Sequence, residues 1–128
     1  MTNVILDTSV LIGTDPVPAE LTSAISVVSI AELHFGLLRA RDDDERARRA
    51  QRLGLVEARY PEPLPVDDLI AREWGGLLAA VANRGAQPRR RHADLAIAAT
   101  ARVYGVPLLT HNVKDFTIVE DLVDVRSI

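Results

Sequence analysis

Four carboxylates fall at points in the chain where they could act together on a cation. Asp7 closes the hydrophobic run Val4-Ile5-Leu6 and is followed by Thr8-Ser9. Glu32 lies in Ser29-Ile30-Ala31-Glu32-Leu33, Asp94 in His92-Ala93-Asp94-Leu95, and Asp115 in Asn112-Val113-Lys114-Asp115-Phe116. Each reads as the end of an element rather than its interior. Carboxylates gathered at one edge repel each other and cost stability. The usual reason to keep such a cluster is a hard cation such as Mg2+ or Mn2+, held through oxygen. Other site chemistries are thinly represented. His34, His92 and His111 show no HxxxH or HxH spacing, and the chain has no cysteine, which excludes disulfides, zinc-thiolate sites and cysteine nucleophiles.

Each acid also has a local reading. Ser29-x-x-Glu32 fits a capping box, in which the glutamate bonds back to the Ser29 amide, and the local pattern favours that reading. Asp94 in a first helical turn suits the helix dipole. Asp7 before Thr8-Ser9 could make an Asx turn, and Asp115 could cap a turn before Phe116. The chemistry therefore rests on the combination, and the combination rests on the elements that would bring the four together.

Those elements alternate. Residues 3–6 read as a short buried strand and 8–12 as a helical turn, stopped by Gly13, Pro16 and Pro18. Residues 24–28 are rich in β-branched residues and read as a second strand. Ser29 reads as the cap of a helix carrying Ile30, Leu33 and Leu37 to about residue 40. A charged helix spans 42–57, with Ala47, Ala50 and Leu53 as its inward positions. The prolines of 59–65 mark a linker, with a possible short strand at 64–66. The clearest helix is 67–83, where Ile70, Trp74, Leu77, Leu78 and Val81 form one stripe and Gly85 ends it. A polar loop at 85–91 leads to a helix over 93–104 with Leu95, Ala98, Ala99 and Val103 inward. Buried strands are expected at 106–109 and 123–125. This order predicts a three-layer α/β/α sandwich with a mostly parallel central sheet, in which ligands bind beyond the carboxyl ends of the strands. The 128 residues suit one domain.

Net charge is −3, which does not advertise a nucleic-acid binder, but the cations are clustered. All but one of the 15 basic residues are arginine. One group runs from Arg39 to Arg52 and interleaves with Asp42–Glu45, as on a solvated helix face. The other, Arg89-Arg90-Arg91, has no acidic neighbour before Asp94 and is a candidate phosphate contact. The N-terminus has no basic region before an interrupted apolar run, which argues against a signal peptide. No stretch approaches the ~20 apolar residues of a membrane span, so a cytoplasmic protein is expected.

Taken together, Leu6-Asp7-Thr8-Ser9-Val10-Leu11-Ile12, Ser29-Ile30-Ala31-Glu32-Leu33-His34-Phe35-Gly36, Asp94-Leu95-Ala96-Ile97-Ala98-Ala99 and Leu109-Thr110-His111-Asn112-Val113-Lys114-Asp115-Phe116 resemble the PIN-domain family. Within it they resemble the VapC toxin nucleases of VapBC toxin–antitoxin systems. The resemblance implies an endoribonuclease dependent on one or two Mg2+ or Mn2+ ions. It also implies a homodimer neutralised by a DNA-binding antitoxin of the VapB type. Asp7, Glu32 and Asp94 match the family's acidic positions, and Thr8, Ser9 and Thr110 its small hydroxyl residues. Asn112 stands where an acid is often found, while Asp115 keeps the acid of the Asp-Phe pair, so the fourth position is divided between them.

Other classes fit less well. A phosphorelay receiver needs paired acids after the first strand and a phospho-acceptor aspartate after a central one. A haloacid-dehalogenase-type phosphatase needs an aspartate where Ser9 stands. A PIN-like RNA-processing nuclease without an antitoxin, or a PIN-like domain that has lost catalysis, would share the same residues.

Overall fold

In a computed structural model, described over residues 2–128, a four-stranded sheet forms the centre of the molecule. The elements are β1 (Thr2–Leu6), α1 (Thr8–Ile12), β2 (Leu21–Ala24), α2 (Val27–Leu38), α3 (Asp43–Arg59), α4 (Asp68–Asn83), α5 (His92–Tyr104), β3 (Leu108–Thr110) and β4 (Val125–Ser127). Short 3-10 turns cover Pro88–Arg91 and Val113–Val119. All strands run parallel, in the order β2-β1-β3-β4. The expected α/β/α sandwich with its parallel sheet is the observed fold.

Strand β1 shows why. Val4, Ile5 and Leu6 are all buried, as a strand covered on both faces requires. Successive side chains point to opposite faces. Ile5 joins the core built with Ile70, Leu77, Val81 and Leu95 of α4 and α5. Val4 and Leu6 join the other core, with Val10, Leu33, Leu53 and Val56 of α1, α2 and α3. Leu108 and Leu109 of β3 divide between the same two cores. The chain leaves β1 for β2 on one side and returns for β3 on the other. The topological switch point therefore lies between β1 and β3, where the two edges of chain diverge and leave a crevice.

Several boundaries differ from the sequence expectation. The second strand is Leu21–Ala24, not 24–28, and the β-branched pair Val27-Val28 opens α2. Ser26 is the cap, accepting from Val28 N at 3.0 Å, so Ser29 lies inside the helix. The short strand expected at 64–66 is a single bridge between Leu64 and Ser26. On α3 the inward residues are Leu53, Val56 and Glu45, while Ala47 and Ala50 are exposed. Glu45 tolerates burial because Arg41 and Arg49 both pair with it. The last strands sit two residues later than expected, although Pro107 already accepts a bond from Ile5 N at 2.9 Å. Gly85 and Gly105 adopt φ of +84° and +68° just beyond α4 and α5, where the left-handed conformation ends a helix. No helix among the described residues is long and apolar enough to cross a membrane.

Candidate functional site

The switch point delivers Asp7 and Thr110 to each other. Asp7 follows β1, and its amide donates to Leu109 O at 2.8 Å, which locks it against β3. Its side chain is 4% exposed, the depth at which a carboxylate needs partners. Thr110 Oγ1 and Ser9 Oγ each donate to Asp7 Oδ2 at 2.8 Å. A hydroxyl has one proton to donate and lone pairs to accept with. Having donated to Asp7, Ser9 accepts from His111 N at 3.0 Å and Thr110 from Asn112 N at 2.9 Å. The result is a carboxylate fixed through one oxygen. The other, Asp7 Oδ1, is buried with no hydrogen-bond partner. A buried acceptor without a donor is costly unless something supplies positive charge.

Glu32 is held by a second relay. Thr8 donates to Glu32 Oε1 at 2.6 Å and, its proton committed, accepts from the buried Ser29 Oγ at 2.8 Å. The capping-box reading of Ser29 and Glu32 is thereby corrected. Helix α2 begins three residues earlier, so Ser29 and Glu32 face α1 instead of closing a helix end. Burial raises the Glu32 pKa, the Thr8 bond opposes the rise, and the Asp7 charge adds to it.

Asp94 occupies the first turn of α5, a helix whose start is tied to α4 by Trp74 Nε1 donating to His92 O at 3.0 Å. Its pKa is pushed up to about 6, first by burial, then by the charges of Asp7, Glu32 and Asp115, with Arg91 opposing. These influences place all four acids in one electrostatic neighbourhood. Asp115 lies in the Val113–Val119 turn, and its amide is anchored to Asn112 O at 2.9 Å. Arg91 stands over both outer acids, Nη2 lying 3.3 Å from Asp115 Oδ1 and Nη1 3.9 Å from Asp94 Oδ2.

The arrangement fits a hard cation of a particular kind. Among the described residues no three carboxylate or imidazole groups form a ready ligand set. The acids share a field, not a preformed cage. Mg2+ usually keeps several of its waters and takes one or two carboxylates directly. The unpartnered Asp7 Oδ1 suits a direct ligand, and Glu32 and Asp94 suit holding the same cation directly or through its waters.

The predicted site residues separate on closer view. Hydrogen bonds join Asp7, Ser9 and Thr110 in one set and Thr8 and Glu32 in a second, and the charges of Asp7, Glu32 and Asp115 act together on Asp94. Asn112 contributes its backbone, and its side chain is exposed. The Arg89–Arg91 run splits: Arg89 and Arg90 are exposed, while Arg91 turns to the acids. Sequence reasoning missed Ser29 as a support and Arg91 as a counter-ion. The doublet Ser26 and Ser29, both at a helix start, was the available signal for the first. The i,i+3 spacing of Arg91 and Asp94 was the available signal for the second, whereas its pairing with Asp115 had none in the local sequence.

A parallel α/β sandwich with carboxylates clustered at the switch point of its sheet defines the class, a domain built to carry an acidic site at its strand ends. The chain belongs to the PIN-domain family, whose pattern matches residues 4–122. It is 37% identical to the protein named Ribonuclease VapC5 of Mycobacterium tuberculosis, over 97% of this chain and 93% of the relative. It is 33% identical to Ribonuclease VapC4 of the same organism, over 91% and 90%. The crystal structure of VapBC-5 from Mycobacterium tuberculosis, a member of the VapBC family of toxin–antitoxin systems, superposes with a TM-score of 0.82 at 36% identity, over 100% of this chain and 98% of that one. VapBC2 from Rickettsia felis, solved bound to a promoter DNA fragment, shares the fold with a TM-score of 0.78 at 20% identity, over 99% of each chain.

Proposed function

We propose that this chain is a toxin endoribonuclease, the nuclease half of a VapBC-type toxin–antitoxin pair, acting in the cytoplasm on RNA with one or two Mg2+ or Mn2+ ions. The observation that carries the reading is Asp7, held by two hydroxyls on Oδ2 and left without a partner on Oδ1, among three further acids. Full-length similarity to proteins named as VapC ribonucleases supports the substrate class.

In this reading Asp7, Glu32 and Asp94 hold the cation, and Asp115 acts through water or on a second ion. When bound, the cation reverses the sign of an otherwise anion-repelling site, makes water a better nucleophile and stabilises charge on the phosphate. The chain's own groups do the positioning. Ser9 and Thr110 fix the plane of the Asp7 carboxylate, and Thr8, backed by Ser29, fixes Glu32. Fixed acids need no reorganisation as charge develops, which is where such a site gains rate. Arg91 pairs with Asp115 and partly offsets the charge of Asp94 in the absence of the cation.

The antitoxin reading has its own support. Phe35 and Leu38 on α2 are 68% and 78% exposed, large apolar side chains left in solvent. A cleft of about 370 Å³ runs from Phe35 and Ile12 to Glu32 and Thr8. A partner seated on the apolar end would cover the acids at the other. Leu53 of α3 adds nothing to this surface, because it is buried in the core.

The test is cleavage of single-stranded RNA by metal-stripped protein with Mg2+ or Mn2+ restored. Asp7→Asn and Asp94→Asn should abolish cleavage, with circular dichroism and melting showing the fold intact. An Asp94→Asn protein that cleaves at the wild-type rate sinks the assignment.

A further inference from the structure

A cavity of about 570 Å³ shares Asp115 with the acid cluster, and is bounded by α4, the segment leading to α5 and the turn after β3. We propose that it binds one nucleotide of single-stranded RNA next to the phosphate held at the acids. The proposal deepens the ribonuclease reading and rests on it for the identity of the polymer.

The size lies within the ~300–1,000 Å³ usual for small-molecule sites. The charge is selective. Arg90, Arg91 and Lys114 line the cavity against a single carboxylate, Asp115. Arg91 is engaged with Asp115 and Asp94, so its charge is largely offset. Arg90 and Lys114 are exposed and join no ion pair among the described residues. Lys114 is also the one lysine of the chain. These two cations face a polyanion that the neighbouring acids would otherwise repel.

The rest of the lining suits a base. Half-buried Ile118, backed by the core residue Val81, provides an apolar wall, and Gln87 carries an amide able to donate and accept. Unstacked RNA bases stack on aromatic rings or guanidinium planes and are read along their polar edges, and in this lining the plane is an arginine's. Arg90 can supply such a plane or a phosphate contact. A smaller cleft of about 240 Å³ at the Glu32 end carries Arg49 and Arg52, but Arg49 is already bound to Glu45 and to Gly36 O. The Asp115 side thus holds more uncommitted positive charge.

Two measurements test this. In the first, backbone amide shifts are followed by NMR while ribonucleoside 5′-monophosphates are added without divalent metal, with inorganic phosphate as the control. Shifts should centre on Gln87, Arg90, Lys114 and Ile118, exceed those with phosphate, and vanish in an Arg90→Ala/Lys114→Ala protein. In the second, wild type and the double variant cleave oligonucleotides shortened one residue at a time from either end. The double variant should raise KM roughly tenfold with kcat little changed. Its log–log salt slope should fall by about 0.7 for each phosphate no longer neutralised. It should also stop distinguishing the substrate that lacks the bound nucleotide from the full one.

Because both side chains are exposed and unpaired, the variant should melt like wild type. If wild type cleaves RNA but nucleotides shift nothing and length matters equally in both proteins, the subsite is overturned. It is overturned equally if the double variant cuts normally but loses an antitoxin, which would make the cavity a protein-binding site. If nucleotide binding appears but wild type cleaves no RNA, the ribonuclease reading falls while the cavity stands as a nucleotide site.

Discussion

At the scale of single residues, each hydroxyl around the acids has one proton to give, and Thr8, Ser9 and Thr110 all give it to a carboxylate. That leaves the acids aimed but still mutually repelling, and burial first, with this repulsion added to it, pushes the Asp94 pKa up to about 6. The folded state binds this proton more tightly than the unfolded chain, whose aspartates titrate near pH 4. The resulting contribution to stability is complete below about pH 4 and is lost as pH rises through about 6. Metal-free protein should therefore lose melting temperature across that window, and Asp94→Asn should flatten the change. Saturating Mg2+ should reverse it at neutral pH, adding about 2.7 kcal/mol at a hundredfold excess over Kd. Calorimetry showing no response to pH or metal in either protein would return the acids to local roles. Asp115 is paired with Arg91 and lies at the cluster's outer edge. Asp115→Asn should reduce cleavage less than Asp94→Asn does, and higher metal should partly restore it. If Asp115→Asn cuts like wild type and Asn112→Ala is dead, the fourth position belongs to Asn112.

At the scale of elements, α1 does more than its length suggests. It carries Thr8 and Ser9 to opposite sides of the site, toward α2 and β3, and it must end before the chain turns to β2. Gly13 ends it against the His111 ring. A Cβ there would lie 2.8 Å from His111 Nε2, an atom that is buried and without a hydrogen-bond partner. The Gly13 backbone is extended (φ −68°), so the demand is for space and not for a special conformation. Gly13→Ala should cost about 1–3 kcal/mol, the range for overpacking, and should lower cleavage by shifting His111 away from Ser9. Urea unfolding measures the cost, and His111→Ala in the same background should recover much of it. Equal stability of Gly13→Ala and wild type would show that the ring moves freely.

At the scale of the molecule, the acids lie at the strand ends while apolar side chains remain exposed beside them. Ile12, Phe35 and Leu38 are 48%, 68% and 78% exposed, and Ile12 and Phe35 share a cleft with Thr8 and Glu32. Leu38→Asp, outside the cleft that holds Glu32, should leave the fold and RNA cleavage intact but weaken binding of the antitoxin, or of a second copy, roughly tenfold or more. Light scattering and co-purification with the product of the adjoining upstream gene provide the readout. Undiminished association would move the interface elsewhere. A wild-type monomer that ignores that product yet cuts RNA would favour an antitoxin-free processing nuclease.

What the sequence determined by itself was whatever depends on neighbours in the chain. The apolar run Val4–Leu6 of β1, the α4 stripe from Ile70 to Val81 and the small-residue face of α5 each carry their own pattern, so element type and layer order were legible. The motifs around Asp7, Glu32, Asp94 and Asp115 were legible for the same reason. Local pattern failed where packing outweighed propensity. Val27-Val28 has strand character, yet Ser26 caps a helix there, because α2 buries Ser29 and Leu33 against the rest of the fold. Alanines 47 and 50 looked inward on α3, yet a paired Glu45 took the buried place. Only the tertiary structure decided how the acids are held. Thr8 meets Glu32 across 24 residues and Thr110 meets Asp7 across 103, and Arg91 reaches Asp115 from a separate turn. Parallel strands pair only through long crossovers, so the contacts that aim these carboxylates join segments distant in sequence and leave no local period to read.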